Sequence, residues 1–453
     1  MTVSTNPSVA NGYTDLSGAQ VVAGATGVAG VTAAGRVVGA AIPFGGPVIA
    51  ALGDSITYNN NQGTTSARAI GAITWARALS GQAFRTSPSL NFGVSGETSV
   101  QVLARTDSVI ATCLAAGVTA IIEMSGVNDA GTRTAAEIYS TRLEIWRKIT
   151  AAGMVVIAGT VTAYAPNTTT AARIGELNYL MRRNAQNDCA GCFVWDAYPG
   201  LADLSVTTGA PIGGRTTDNL HPNQIGAYWM GKTLLSTLQR VFVGMEFGPH
   251  RAEWAGDWWQ SDATNHPAGN RWVNPQLAGI GGTKSGAYAT GDVADSCTVF
   301  RSSGSTLTAV CSKVTRVLPT GQTINGQRLV VSSPGGGGSP EIMNFQQAIT
   351  VPAGAQVLFG AYISVSAITG AVMDVGARAQ NNGGAFSVIS DDLHNATNLG
   401  APPESFTAWT ETYPGAMASG VTSVNGIIRF QLVCTSAASI TVDIYQPYLR
   451  VVG

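Results

Sequence analysis

Pro47-Val-Ile-Ala-Ala-Leu-Gly53-Asp54-Ser55-Ile-Thr57 is an apolar run that stops at a glycine and hands over to an acid and a serine. A short apolar run bounded in this way predicts a buried strand. Further runs at Ser89–Gly93, Val118–Met124, Gly153–Ala158 and Cys192–Asp196 read the same way. Between and after them, Ala67–Leu79, Thr134–Thr150, Thr170–Gln186 and Gln224–Val241 carry apolar residues at helical spacing. Thr134 and Glu137 form a capping-box pattern at the start of the second of these. Strands that alternate with helices predict a parallel sheet covered on both faces, here a doubly wound α/β domain over residues 46–245.

Beyond that domain the texture changes. Residues 246–289 form a connecting segment that is aromatic and turn-rich, with Gly256-Asp-Trp-Trp259 and Asn270-Arg-Trp-Val-Asn-Pro275. From 290 to 453, short runs such as Arg328–Ser332, Val357–Tyr362, Ile427–Leu432 and Ile440–Tyr445 alternate apolar and polar residues between turn residues. That pattern predicts an antiparallel β-sandwich of jelly-roll type, with Pro334–Pro340 as a long hairpin loop. Residues 1–45 are rich in Gly, Ala, Val and Thr and read as an N-terminal arm or attachment segment.

Composition narrows the function classes. Of the 453 residues only 11% are charged, and Lys+Arg 25 against Asp+Glu 26 leaves a formal net charge of -1. No basic surface for nucleic acid is expected. No basic stretch followed by an apolar core opens the chain, so no secretory signal is expected, and residues 18–35 are too weakly hydrophobic for a membrane span. Six cysteines are too sparse for a disulfide scaffold, and whether Cys189 bonds Cys192 or Cys297 bonds Cys311 is open at this level. Cys189-Ala-Gly-Cys192 has no second pair or nearby His to complete a zinc site, and no metal or other cofactor is implied.

Four short blocks carry the chemistry. They are Gly53-Asp-Ser55, Asn91-Phe-Gly-Val-Ser-Gly96, Gly126-Val-Asn128-Asp129 and Asp218-Asn-Leu-His221-Pro222. The first three follow successive predicted strands, so they share one edge of the sheet. Ser55 is placed as a nucleophile, His221 as the base that takes its proton, and Asp218 as the carboxylate that holds the imidazole. An oxyanion needs convergent donors, and the backbone N–H groups of Ser55 and Gly96 with the side-chain amide of Asn128 are the candidates. Asp129 is read as a structural neighbour, Asp196 as a weaker rival to Asp218, and His266 as a loop residue.

These blocks resemble the SGNH (GDSL-type) hydrolases, a family of esterases and lipases. Ser55 matches the family's G-D-S serine, Gly96 its oxyanion glycine, Asn128 its G-x-N-D asparagine, and Asp218 and His221 its D-x-x-H block. The resemblance covers residues from about 46 to 242 and implies an α/β hydrolase that needs no cofactor. The whole layout, arm then hydrolase then sandwich, resembles bacteriophage tail-spike and tail-fibre esterases. That likeness implies a carbohydrate O-acetylesterase acting on bacterial surface polysaccharide. It further implies a virion-tail or extracellular setting, attachment to other tail proteins through the N-terminus, and a homotrimer. Trp254, Trp258, Trp259, Trp272 and Trp409 are candidates for stacking on sugar rings, although most are expected in the core. Two alternatives remain at this level: a lipid or small-ester hydrolase, and a receptor-binding particle component without turnover.

Overall fold

The computed structural model describes residues 46–62, 66–67, 70–243, 270–318, 321–338, 340–370, 372–381, 388–390 and 404–451. It also describes three short strands, Ala19–Gln20, Gly30–Thr32 and Val37–Gly39, that pair antiparallel in chain order. The chain divides into two compact units. Described residues within 1–60, 83–222 and 229–247 form one, and those within 61–82, 223–228 and 248–453 form the other.

The first unit is built on five parallel strands: β1 (Ile49–Gly53), β2 (Asn91–Gly93), β3 (Ala120–Met124), β4 (Val155–Gly159) and β5 (Cys192–Trp195). Their order across the sheet is β5-β4-β3-β1-β2. Every residue of β1, β3 and β4 is buried, which is why these strands read as continuous apolar runs rather than alternating ones. Gly53 pairs with both Gly93 and Met124, so β1, β2 and β3 end level with one another. The chain steps outward from β1 to β2 and then crosses back to β3. The loops after β1 and β3 therefore part in opposite directions and open a crevice at the strand ends. Only glycine fits at Gly53, since a Cβ there would lie 1.9 Å from the Met124 carbonyl oxygen.

Helices α1 (Ser55–Tyr58), α2 (Ala72–Leu79), α3 (Ser99–Ala115), α4 (Ala135–Ala151), α5 (Thr168–Asp188) and α6 (Gln224–Val241) complete the regular structure used below. The predicted capping box opens α4: the Glu137 carboxylate accepts from the Thr134 N–H at 2.8 Å, and Thr134 Oγ1 accepts from the Glu137 N–H at 3.3 Å. Helix α3 was not expected from the sequence. Its Val, Thr and Ser residues weaken local helix propensity, and packing of Val102, Thr106, Val109 and Cys113 on the core supplies what propensity does not. The readable signal for it is a second capping pattern, in which Gln101 Oε1 accepts from the Thr98 N–H at 2.9 Å.

The buried face of α4 carries a charge. Arg142 lies among Ile138, Ile145 and Ile149 with no exposed surface, and its guanidinium meets Glu123 of β3 at 2.7 Å. Glu123 Oε2 also accepts from Trp146 Nε1 at 2.7 Å, and Oε1 accepts from Ser125 Oγ at 2.5 Å. Arg142 spends a further N–H on the Gly159 carbonyl at 2.8 Å, which ties α4 to β3 and β4 together.

Among the described residues, the second unit holds two large sheets beside a two-stranded one of Asn61–Gln62 and Ser66–Ala67. One runs Gly281–Ser285, Val293–Ser303, Glu341–Thr350, Ser423–Leu432, Val372–Asn381, Val388–Ser390. The other runs Ala289–Gly291, Thr308–Val317, Thr323–Ser333, Ala438–Val451, Gln356–Thr369, Phe406–Glu411. Pairing is antiparallel except for one outer pair in each sheet, so the expected sandwich forms with mixed edges. Trp272 stacks on Phe345 from the first sheet and on Phe359 from the second, at 6.4 and 5.4 Å between ring centres. Trp272 and Trp409 are thus core residues, unavailable to sugars, while Trp254, Trp258, Trp259 and His266 lie outside the described residues.

Two expectations need correction. Residues 334–340 are not a hairpin loop, because Thr323–Ser333 and Glu341–Thr350 belong to different sheets and the segment crosses between them. The Glu341 carboxylate fixes that corner, accepting from the N–H groups of Thr306, Leu307 and Gly338 at 2.8–3.0 Å. Helix α2, shorter than the expected Ala67–Leu79, packs within the second unit on Phe406–Glu411. Trp75 meets Phe406 edge-on at 5.4 Å, and Arg77 pairs with Glu411 at 2.9 Å. The six cysteines are all buried and free.

Removing one partner of a fully buried ion pair leaves the other charge uncompensated, which costs about 3–5 kcal/mol. Glu123→Ala and Arg142→Ala are each expected to lose that much in urea unfolding. Lys148→Ala, which breaks an exposed and solvent-screened pair with Asp107, is expected to leave the unfolding midpoint nearly unchanged.

Candidate active site

Ser55 is the first residue of α1, directly past the end of β1, and its side chain is nearly buried. Asp54 caps this helix, its Oδ1 accepting from the Ile56 N–H at 3.0 Å. Of the first N–H groups of α1, that of Ile56 is taken by Asp54 Oδ1 and that of Tyr58 by the Asp54 carbonyl, and the Ser55 N–H is the candidate donor to an anion. Ser55 Oγ stands 2.8 Å from His221 Nε2, and His221 Nδ1 stands 2.7 Å from Asp218 Oδ2. The structure brings Ser55, His221 and Asp218 into one hydrogen-bonded chain.

Local geometry explains how four residues hold both the acid and the base. Asn219 takes a positive φ of 64°, a conformation that Asn adopts more readily than most residues. The tight turn lets Asp218 Oδ1 accept from the Leu220 and His221 N–H groups at 3.1 and 2.7 Å, while Oδ2 faces the imidazole. Thr217 N–H to His221 carbonyl, 2.9 Å, closes the turn. Burial works to raise the Asp218 carboxyl, but the hydrogen bonds from His221 and Leu220 outweigh it and hold the group below its ordinary value of 3.8. Asp218 therefore stays ionised beside the ring. Asp196 is engaged elsewhere, by Arg182 at 2.8 Å and Thr160 Oγ1 at 3.0 Å.

The candidate oxyanion donors sit beyond the neighbouring strand ends. Gly96, beyond β2, has φ +82° and nothing within 4 Å of where a Cβ would be. Glycine is needed there for its backbone conformation rather than for lack of room. Asn128, beyond β3, donates one amide hydrogen to the Glu97 carbonyl at 2.9 Å, which leaves its second hydrogen to another acceptor.

Asp129 shows how the two loops are joined. Fully buried, it accepts from the Ser99 N–H at 2.7 Å and from Ser99 Oγ at 2.8 Å, so a residue adjacent to Asn128 holds the start of α3, three residues after Gly96. Two residues that the sequence did not single out complete the frame. Arg105 donates to the carbonyls of Gly53 at 3.1 Å and Phe92 at 2.7 Å, and pairs with Glu97 at 2.7 Å. It thereby links the ends of β1 and β2 to the loop that carries Gly96. Its signal was hidden because α3 itself went unread.

Asp54 is the electrostatic oddity of the site. Burial pushes its carboxyl from 3.8 up to about 7, aided by nearby Glu123 and Asp129 and opposed by the Ile56 N–H and Arg142. Its Oδ2 is buried without a hydrogen-bond partner.

With fold and geometry in place, the chain can be set beside known proteins. The GDSL-like Lipase/Acylhydrolase family matches residues 51–228, and over that stretch the chain carries a domain of this family. Among solved structures, a member of the lipolytic G-D-S-L family from Veillonella parvula is similar at 20% identity, over 43% of this chain and 99% of its own, with TM-score 0.34. An acetyl xylan esterase is similar at 18% identity over 42% of this chain and 98% of its own, with TM-score 0.34. A family 3 carbohydrate esterase from Talaromyces cellulolyticus is similar at 18% identity over 42% and 96%, with TM-score 0.31. No curated protein matches. No helix among the described residues is long and apolar enough to cross a membrane.

The raised Asp54 carboxyl makes a stability prediction. Between pH 3.8 and about 7 the unfolded chain gives up this proton before the folded one does, so stability falls as pH rises through that window. Asn at this position keeps a capping oxygen without the charge. Asp54→Asn is expected to flatten the decline in melting temperature between pH 4 and 7 relative to the unaltered protein, and to leave the two most different above pH 7.

Proposed function

We propose that this protein is a serine esterase that removes O-acetyl groups from a polysaccharide, with Ser55, His221 and Asp218 as its catalytic triad. The observation that carries the reading is the unbroken chain from Ser55 Oγ through the imidazole to Asp218, at 2.8 and 2.7 Å. Ser55 Oγ attacks the ester carbonyl as its proton passes to His221 Nε2. The tetrahedral oxyanion is met by the N–H groups of Ser55 and Gly96 and by the free amide hydrogen of Asn128. His221 then returns the proton to the sugar oxygen, which leaves as an alcohol. A water molecule repeats the attack on the acetyl-serine, giving its proton to His221, which returns it to Ser55 Oγ as acetate departs.

Three features support a short acyl group on a large polar alcohol. No long apolar insertion that would enclose a fatty acyl chain separates the four blocks in the sequence. The surroundings of Gly96 are open, and the nearby Tyr58 and Val94 are exposed, which suits a site approached by a polymer. The low charge of the chain suits contact with hydroxyl-rich surfaces. The same reading places the protein outside a cell or on a virion tail, as a homotrimer joined to other tail proteins through its N-terminus; these points rest on the layout of the chain alone.

The test is acetate release from acetylated bacterial polysaccharide, run beside p-nitrophenyl acetate and a long-chain p-nitrophenyl ester. Ser55→Ala is expected to lose about a thousandfold or more on every ester, and the unaltered protein to prefer acetyl over long acyl groups. Equal rates for the two proteins would remove Ser55 from the reaction, and faster turnover of the long-chain ester would make the substrate a lipid.

A further inference from the structure

The outer face of the six-stranded sheet in the second unit holds a groove of about 470 Å³, within the range of ligand pockets. The register shows how it is built. Residues paired directly across antiparallel strands share a face of the sheet. Phe300 pairs with Asn344, and Asn344 with Arg429. One row further along, Gln346 pairs with Ile427, and Ile427 with Arg378. In the next row Asn425 pairs with Gln380. The alternate residues Val299, Phe345, Ile428 and Ala377 point the other way and are fully buried. The inner rows close the sandwich, and the outer rows face away from it.

The outer rows are polar where they have no structural need to be. Asn344 is 6% exposed and its side-chain oxygen has no hydrogen-bond partner, although it lines the groove. Asn425 Oδ1 is buried and unpartnered in the same groove. Buried amide oxygens left without a donor are costly, so such groups in a native fold call for an explanation, and a ligand that donates to them is one. Arg378 lines the groove with no ion pair among the described residues.

We infer that this groove binds an acidic polysaccharide, one whose repeating units carry carboxylates. Amide side chains both donate and accept, as sugar hydroxyls do. Ile427 and the Phe300 ring give an apolar floor and wall for the C–H faces of the sugar rings. Arg378 offers a planar fork to a carboxylate. A peptide strand would instead add to a sheet edge, and this groove lies across the sheet's face. The inference narrows the substrate class of the reading above to acidic polymers, but the groove involves none of the triad residues, so the two readings fail separately.

The test uses the full-length Ser55→Ala protein, which binds without turnover. Its affinity is measured by electrophoresis through gels containing polygalacturonate, hyaluronate or, as the neutral polymer, dextran. Retardation by at least one of the two uronate polymers and not by dextran is expected, weakening as salt rises. Arg378→Ala in the same background should weaken it tenfold or more, Asn344→Ala several-fold, and Arg378→Lys should restore part of the loss. Arg378→Ala alone, with Ser55 intact, should hydrolyse p-nitrophenyl acetate at the unaltered rate and melt at the unaltered temperature. No retardation by either uronate polymer, equal retardation by dextran, or unchanged affinity in Arg378→Ala would each overturn the inference.

Discussion

The hydrolase unit is organised around a buried charge. Glu123 lies on the central strand of the sheet with no contact with water, and four donors converge on its two oxygens from Arg142, Trp146 and Ser125. Two ions removed from water are stable together only when nearly every lone pair and N–H finds a partner. That requirement fixes the rotation of α4 about its axis, since Arg142 and Trp146 must both face one carboxylate. It also fixes Ser125, the residue that begins the turn into Gly126-Val-Asn128. The position of one candidate oxyanion donor is in this way inherited from an ion pair beneath the sheet.

The rest of the site is held by the same kind of bond, a side chain that takes up otherwise unmet backbone groups. Asp54 caps α1, Asp129 holds the first N–H of α3, Arg105 takes the carbonyls at the ends of β1 and β2, and Asp218 takes two N–H groups of its own turn. Backbone groups at strand and helix ends are those that regular structure leaves unpaired. Satisfying them with charged or polar side chains sets each loop at a defined distance from its neighbours. A site made of four loops needs no movement to assemble when each loop is pinned at its root.

Much of this was legible in the sequence, for reasons that can be named. The buried strands of the parallel sheet are largely apolar, so they stand out as runs, and the first three blocks fall at strand ends. Thr134 and Glu137 announced a helix start because the capping bonds lie within one turn. What escaped notice was non-local. Arg142 looks like any polar residue of an amphipathic helix until Glu123 is brought under it by a crossover. Helix α3 has a mediocre composition and is made by packing. The segment 334–340 resembles a hairpin loop because its glycines and prolines specify a reversal without saying which sheet follows. The tryptophans were ambiguous for a simple reason: a ring that stacks on a sugar and a ring that stacks on Phe345 and Phe359 have the same sequence signature.

The placement of α2 has a consequence for how such a protein came to exist. Residues 61–82 and 223–228 lie between stretches of the hydrolase unit in the sequence, yet cluster with the carboxyl-terminal one, where Trp75 and Arg77 are buried. A single cut in the gene near residue 245 would strand both segments without the surfaces they pack on. Recombination that exchanges whole modules at one joint is thus closed to this chain.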